Sequence, residues 1–545
     1  MQSYLFAVPR LRTMLGANAL LGETLRGELT KHATTSGCCA PAGWDSKTAF
    51  NRFAVDNEDP LGQVSGLGQL ADDPRGLYEK GVLARDGGHF QALFGGEGAV
   101  KLFVEAASKT IGSQLSGLMF DIAVTEWEHR SGWLERTDLS QTAAATQPLF
   151  MPAEFAVCQL SGQGLATERI KIAKGKSRLL VSKASRDQWE AGTRFSRRAA
   201  SDIVSLMQRA RIGGEYAWPC MKMRRPDDLQ ALAGGPGHYI ALVHADGNSV
   251  GGRSTEYRGN AENATIADWL VAEAKGELFF YGMRVAVRKA LTKALNSTFG
   301  SYQGSVRPYQ VLMLGGDDLL MACQASYALD FVRNYAQALT QFDLPDSQPL
   351  GIGAGVAICQ SSMPIHVMHA LAEDLASSAK RLARASAQTS VVDWMVVTNA
   401  TTMDLAQHRK QHDVVRYQVS SHDETLVLSQ KPYRVLAASG EEPESVPSLN
   451  SLTKLMDAAS GLRKPGIARS QLKALPQALR RGLRAGKFAF EDVPDKTRCA
   501  IEQTGVGTNP WTRPDKANSP HLWMTAVPDL VEVVEIPRLG RRNRA

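Results

Sequence analysis

Cysteine is scarce in this chain, and long apolar runs are absent. The seven cysteines among 545 residues include no C-x-x-C pair. That excludes a disulfide framework and the usual spacing of a cysteine zinc site. The adjacent Cys38 and Cys39 read as free thiols. No apolar stretch reaches the ~18 residues needed to cross a bilayer. The start, Met1-Gln2-Ser3-Tyr4-Leu5, has neither the basic region nor the apolar core of a signal peptide. Both absences predict a cytoplasmic protein without a membrane partner. An excess of one charge sign is also missing. The net charge of +7 permits a nucleic-acid partner without requiring one. Basic residues cluster at Lys171 to Arg186, Lys222 to Arg225, Arg469 to Lys487 and Arg538 to Arg544. Such runs are usually solvated faces, and Arg469 to Lys487 has the best claim to nucleic-acid contact.

Apolar and charged residues, at 43% and 21%, are those of an ordinary folded chain, and the length suggests three to four domains. Residues 1–133 give a short strand at Tyr4–Val8 and a helix at Leu11–Leu29. A hairpin follows at Gly87-Gly88-His89-Phe90, then a helix at Ala99–Leu115 and a strand at Leu118–Trp127. Residues 134–235 are mixed, with a low-complexity linker at Gln141–Gln147 and a helix near Ser196–Arg211. Gly234-Gly235-Pro236-Gly237 marks a boundary. Residues 236–401 read as strand Tyr239–Val243, long helix Ile266–Leu295, strands Tyr309–Leu314 and Leu319–Cys323, then a helix from Leu329 to Leu339. Strand Ile352–Cys359, helix Val367–Ala385 and strand Val391–Val397 complete the region. This is the ferredoxin-like split βαβ order, and the first region follows a similar one. Residues 402–545 read as mostly helical, with helices at Leu449–Leu462 and Ile467–Ala485. The fold class is therefore α+β: two ferredoxin-like palms, a small intervening domain and a mostly helical C-terminal domain.

The chemistry concentrates in two segments. In Ala241-Leu242-Val243-His244-Ala245-Asp246-Gly247-Asn248 an apolar strand ends on an aspartate followed by glycine. In Val311-Leu312-Met313-Leu314-Gly315-Gly316-Asp317-Asp318-Leu319-Leu320 two apolar strands flank a tight turn whose glycines can take positive φ. In a split βαβ sheet the first and third strands are neighbours, so the turn brings Asp317 and Asp318 beside Asp246. Three clustered carboxylates repel and raise each other's pKa unless cations neutralise them. Magnesium, or manganese, suits hard oxygen ligands shared with phosphates. Two such ions can activate an attacking hydroxyl and stabilise a leaving pyrophosphate. Lys380, on the later helix Ala372–Arg381, is placed to reach a triphosphate.

These pieces, with Gly353-Ala354-Gly355-Val356-Ala357, Pro364 and Ala379-Lys380, resemble the large polymerase-like subunit of type III CRISPR effector complexes. Gly87-Gly88-His89-Phe90 is similar to the hairpin of that family's first palm. Thr425-Leu426-Val427-Leu428 with Lys431-Pro432-Tyr433 is similar to a segment after its second. The resemblance implies a nucleotidyltransferase joining ATP into cyclic oligoadenylates within an RNA-guided defence complex. ATP, guide RNA, target RNA and other effector subunits would be its partners. It implies Asp246, Asp317 and Asp318 as catalytic ligands of two metal ions. Gly247, Asn248, Gly315, Gly316 and Lys380 would bind nucleotide, and the first palm would not catalyse.

The chain departs from that family at two places. Its start reads as the first palm, with no HD nuclease expected, and His412-Asp413 and His422-Asp423 read as surface residues. The intervening domain carries only the remnant of a zinc site, because Ser161 stands where a second ligand to partner Cys158 would be and Cys220 is isolated. No zinc is expected. Two other readings stay open: a stand-alone palm-type cyclic dinucleotide cyclase, and a non-catalytic scaffold that binds guide RNA. The leucines after the Asp pair disfavour the first, and the costly carboxylates disfavour the second.

Overall fold

A computed structural model describes residues 2–5, 8, 10–40, 59–64, 67, 72–85, 88–130, 133–144, 156–162, 164–171, 178–197, 202–209, 214–234, 238–259, 266–383, 389–397, 404–419, 422–436, 451–502, 506–513 and 521–539. Gly87, most of the Gly234–Gly237 boundary, part of the linker and most of the basic tail lie outside these residues.

In the N-terminal part the first helix of note is α1 (Leu11–Gly22), which continues through a π-helical stretch, Glu23–Leu29. Later come α2 (Glu97–Gln114) and α3 (Lys183–Arg197). The strand expected at Tyr4–Val8 is not formed: Gln2–Leu5 is helical. Tyr4, Leu5 and Val8 are all buried, at i, i+1 and i+4, which is helical rather than alternating spacing. Among the described residues of this part, the strands form two-stranded ribbons: Val82–Ala84 with Gln91–Ala92, Phe120–Arg130 with Trp133–Ala144, and Glu168–Lys171 with Arg178–Val181. The split βαβ sheet expected there is not seen in them. Gln141 to Ala144, read as linker, are instead the end of a strand. Composition marks low complexity but does not report the partner strand at Phe120–Ala123.

The palm is where the sequence is most faithfully expressed. It comprises β1 (Tyr239–Gly247), α4 (Val250–Arg258), α5 (Ile266–Phe299), β2 (Tyr309–Gly315), β3 (Asp318–Gln324), α6 (Ala328–Leu339), β4 (Ile352–Gln360), α7 (Ile365–Ala383) and β5 (Val391–Val397). Past it lie α8 (Leu405–His412), β6 (Val414–Val419), β7 (His422–Val427), β8 (Tyr433–Arg434), α9 (Leu452–Leu462), α10 (Arg469–Leu479), α11 (Leu483–Glu491) and α12 (Val527–Glu535). The main sheet runs β8-β5-β4-β1-β3-β2, so β1 and β3 are neighbours, as the split βαβ order requires. Helices α5 and α6 cover one face: Ala241, Val243 and Ala245 of β1 share a core with Phe279, Met283, Phe331 and Val332. Helix α7 joins the parallel strands β4 and β5 and covers the other face, where Ile240 and Leu242 meet Met368, Leu371 and Leu375. Because both faces are covered, the strands read as continuous apolar runs. Helix α1 joins α7 on that second face.

The C-terminal region is anchored to the sheet by a buried polar knot. Asp529 of α12 accepts from the Tyr433 hydroxyl at 2.8 Å and from the Gln430 amide at 2.7 Å. Glu532 accepts from the Trp394 indole at 3.0 Å and pairs with Lys431. This is the structural task of Lys431-Pro432-Tyr433. Among the described residues no helix is long and apolar enough to cross a membrane.

Candidate active site

Asp246 is the penultimate residue of β1, and Asp318 begins β3. Alternation along each strand fixes the direction of both. Asp246 follows Ile240, Leu242 and His244, while Asp318 precedes Leu320 and Ala322, so both point to the face that carries α7. Asp317 sits between them in a two-residue turn closed by the pair Gly315 and Asp318. Gly316 has φ +62°, in the region that favours glycine. A Cβ on Gly247 would lie 2.8 Å from the Cβ of Asp317 and 2.9 Å from its Oδ2, so glycine at 247 is what lets the turn close onto β1. A Cβ on Gly315 would meet nothing within 4 Å. Space is open there for a phosphate.

Lys380 reaches this cluster from α7 and pairs with Asp246. Its route depends on two glycines of β4. Gly353 lies opposite Asp246 in the ladder. A Cβ at Gly353 would stand 2.4 Å from Cγ of Lys380, and one at Gly355 only 2.0 Å from the carbonyl oxygen of Ala372. Helix α7 therefore rests directly on the strand backbone, and the missing side chain at 353 is the passage for Lys380. Gly355→Ala is expected to push α7 outward, costing about 1–3 kcal/mol and displacing Lys380. Thermal unfolding checks this, and an unchanged melting temperature would show that the helix gives way freely.

Burial, then the charge of Asp246, pushes Asp317 up to about 6. Burial, then Asp246 and Asp317, pushes Asp318 up to about 7. Lys380 opposes both shifts. Among the described residues no group of three His, Cys, Asp or Glu stands ready to hold a metal ion; the ammonium of Lys380 lies on Asp246 instead. The donor set nonetheless fits a hard divalent cation, since clustered carboxylates with raised pKa values are what such an ion relieves. From about pH 4, where an unfolded aspartate has released its proton, up to about 7 the folded pair still holds protons. Folding stability contributed by the pair thus falls as pH rises through that window. Magnesium or manganese is expected to raise the melting temperature more at pH 8 than at pH 5, and Asp317→Asn/Asp318→Asn to remove the difference. An equal rise in both proteins would place the ion elsewhere.

Asn248 also has a structural task, and three neighbours of the site carried no signal in the sequence. The Asn248 side chain donates to the Thr389 carbonyl at 2.8 Å and its backbone N–H to Gly351 at 2.9 Å. It is a strut under the site, fixing the end of β1. Ser249 takes φ +56°, a conformation rare for serine, and opens α4, whose first turn has no capping side chain. His244, 6% exposed, has neither ring nitrogen hydrogen-bonded; its Nε2 lies 3.8 Å from Asp318. The Tyr335 hydroxyl of α6 is buried without a partner, and the charges of Asp317 and Asp318 add to burial in pushing its pKa up. A histidine inside an apolar strand and a tyrosine inside an apolar helix face look the same as core.

In the intervening region Cys158 is buried, with its Sγ 3.3 Å from the Ser185 hydroxyl, and Cys220 donates to the Phe299 carbonyl at 3.4 Å.

Residues 239–387 match the family described as Cas10/Cmr2, second palm domain. Among solved structures, the Csm1-Csm4 cassette in complex with AMPPNP is 11% identical, covering 98% of this chain and 68% of that one, with a TM-score of 0.40. The same cassette in complex with cA4 is 11% identical over 93% and 68%, with a TM-score of 0.35. Csm1 in T.onnurineus is 12% identical over 56% and 39%, with a TM-score of 0.25. At such scores the superpositions carry no argument of their own. No curated protein matches the chain.

Proposed function

We propose, from the premise that this is a Cas10-like chain whose residues 239–387 are a second palm domain of the Cas10/Cmr2 family, that it joins ATP into cyclic oligoadenylates as a subunit of an RNA-guided type III effector complex. The observation that carries the reading is the convergence of Asp246 of β1 with Asp317 and Asp318 of the β2–β3 turn on one point already met by a cation, Lys380. In this reading the three carboxylates hold two magnesium or manganese ions. Those ions supply the Lewis acidity that activates a ribose hydroxyl and neutralises departing pyrophosphate. The chain does the rest. Lys380 gives up Asp246 and turns to triphosphate oxygens, the open space at Gly315 admits a phosphate, and the uncapped amides of α4 offer donors to it. The first domain, guide RNA, target RNA and the other subunits control access.

The test is a product assay with ATP and divalent metal, with and without the guide complex and target RNA, resolved by mass spectrometry. Cyclic oligoadenylates that vanish in Asp317→Ala/Asp318→Ala support the reading. Products formed without any RNA favour a stand-alone cyclase. No product from an assembled, target-bound complex with any nucleotide leaves the chain a scaffold.

A further inference from the structure

Among the large hydrophobic side chains of the described residues left in solvent, the most exposed lies far along the chain from the palm site, on α11. Phe488 is 71% exposed, while Phe490 on the same helix is fully buried. A single exposed apolar side chain is ordinary; this one is set in a pattern. Arg484, Lys487, Phe488 and Glu491 follow at i, i+3, i+4 and i+7, and none of them is buried. They form one stripe along the helix. The opposite face is anchored: Gly486 packs against Leu479 and Trp511, so the stripe is held rigidly outward.

The charge on this surface is poorly compensated. Lys487 has Glu491 at 3.7 Å, but Arg484 and Arg481, the latter exposed just before the helix, have no ion-pair partner among the described residues. The start of the helix adjoins further cations. Arg480 donates to the Gln411 carbonyl at 3.2 Å, beside the exposed Lys410 of α8. Gly482 lies against Tyr417, next to Arg416 of β6.

We propose that the Arg481–Phe488 face of α11 is a binding surface for single-stranded RNA, with the arginines on phosphates and Phe488 stacked on an unpaired base. Charge complementarity selects a polyanion, and an aromatic ring standing free beside uncompensated cations selects one with exposed π faces. Single strands offer both, whereas duplexes keep their bases stacked. The surface is independent of the palm chemistry, so either reading stands if the other fails.

The experiment is fluorescence anisotropy of the full chain with labelled single-stranded oligouridylate across a salt series. Arg481→Ala/Arg484→Ala is expected to weaken binding and to lower the salt slope by about one for each phosphate that is no longer neutralised. Phe488→Ala is expected to weaken binding roughly tenfold at unchanged salt slope, with Phe488→Trp restoring it and a duplex competing poorly. Metal-dependent ATP consumption by Phe488→Ala should match wild type. RNA binding unaffected by Phe488→Ala overturns the proposal. So does binding unaltered in every variant while the variants fail to hold an acidic effector subunit, which would make this a protein interface.

Discussion

Replacing Asp317 and Asp318 together by alanine is expected to lower nucleotide joining by at least about 10³-fold, because the transition-state charge they neutralise through bound cations has no other acceptor. The protein should stay folded. The turn, Gly316 and Asp317 between the paired Gly315 and Asp318, rests on Gly316 at φ +62° and needs neither carboxylate. Without metal, near pH 8, the variant should melt at or above the wild-type temperature, since like charges have been removed from a crowded point. Turnover and melting temperature measured on the same preparation decide the matter. Low turnover with a large loss of stability would make the aspartates structural, and unchanged turnover would remove the palm from the chemistry.

The second large effect lies beneath the same turn. Asp72 is buried among three arginines. It accepts from Arg26 at 3.2 Å and from Arg284 at 3.0 Å, and it pairs with Arg288. Arg288 also binds Asp59 at 2.7 Å. Arg284 and Arg288 belong to α5 of the palm, Arg26 to the π-helical stretch after α1, and all three line a small cavity with Gly315 and Gly316. Asp72→Ala leaves buried guanidinium groups facing one another. The expected cost is about 3–5 kcal/mol, read as a lowered denaturation midpoint, together with loss of palm activity as the turn loses its support. A midpoint within error of wild type would mean that Asp59 on Arg288 and Glu277 on Arg284, at 2.6 Å, together balance the cluster.

The clustering of the three carboxylates could be read from the sequence because each signal was local. An apolar run that stops at Asp246, and two runs bracketing Gly315 to Asp318, specify strand ends and a hairpin whatever surrounds them. The split βαβ order then makes β1 and β3 neighbours, and the observed register pairs Ala245 with Leu319. The same reasoning failed at Tyr4–Val8 because a run that short fits either period, and packing decided for helix. At Asn248 polarity beside an aspartate did not disclose a strut; the bond to the Thr389 carbonyl, far along the chain, appears only in the fold.

Apolar periodicity and glycine conformation, each acting over a few residues, were enough to specify the palm's element order apart from α4, its turn and the carboxylates at its strand ends. Other relations arise only once the chain is folded. Gly353 and Gly355 bring α7 against the sheet, Lys380 rests on Asp246, and His244, Tyr335 and the Asp72 arginine cluster surround the turn. Those relations join residues distant in the chain. They depend on where helices cross a sheet, and no local pattern encodes that crossing.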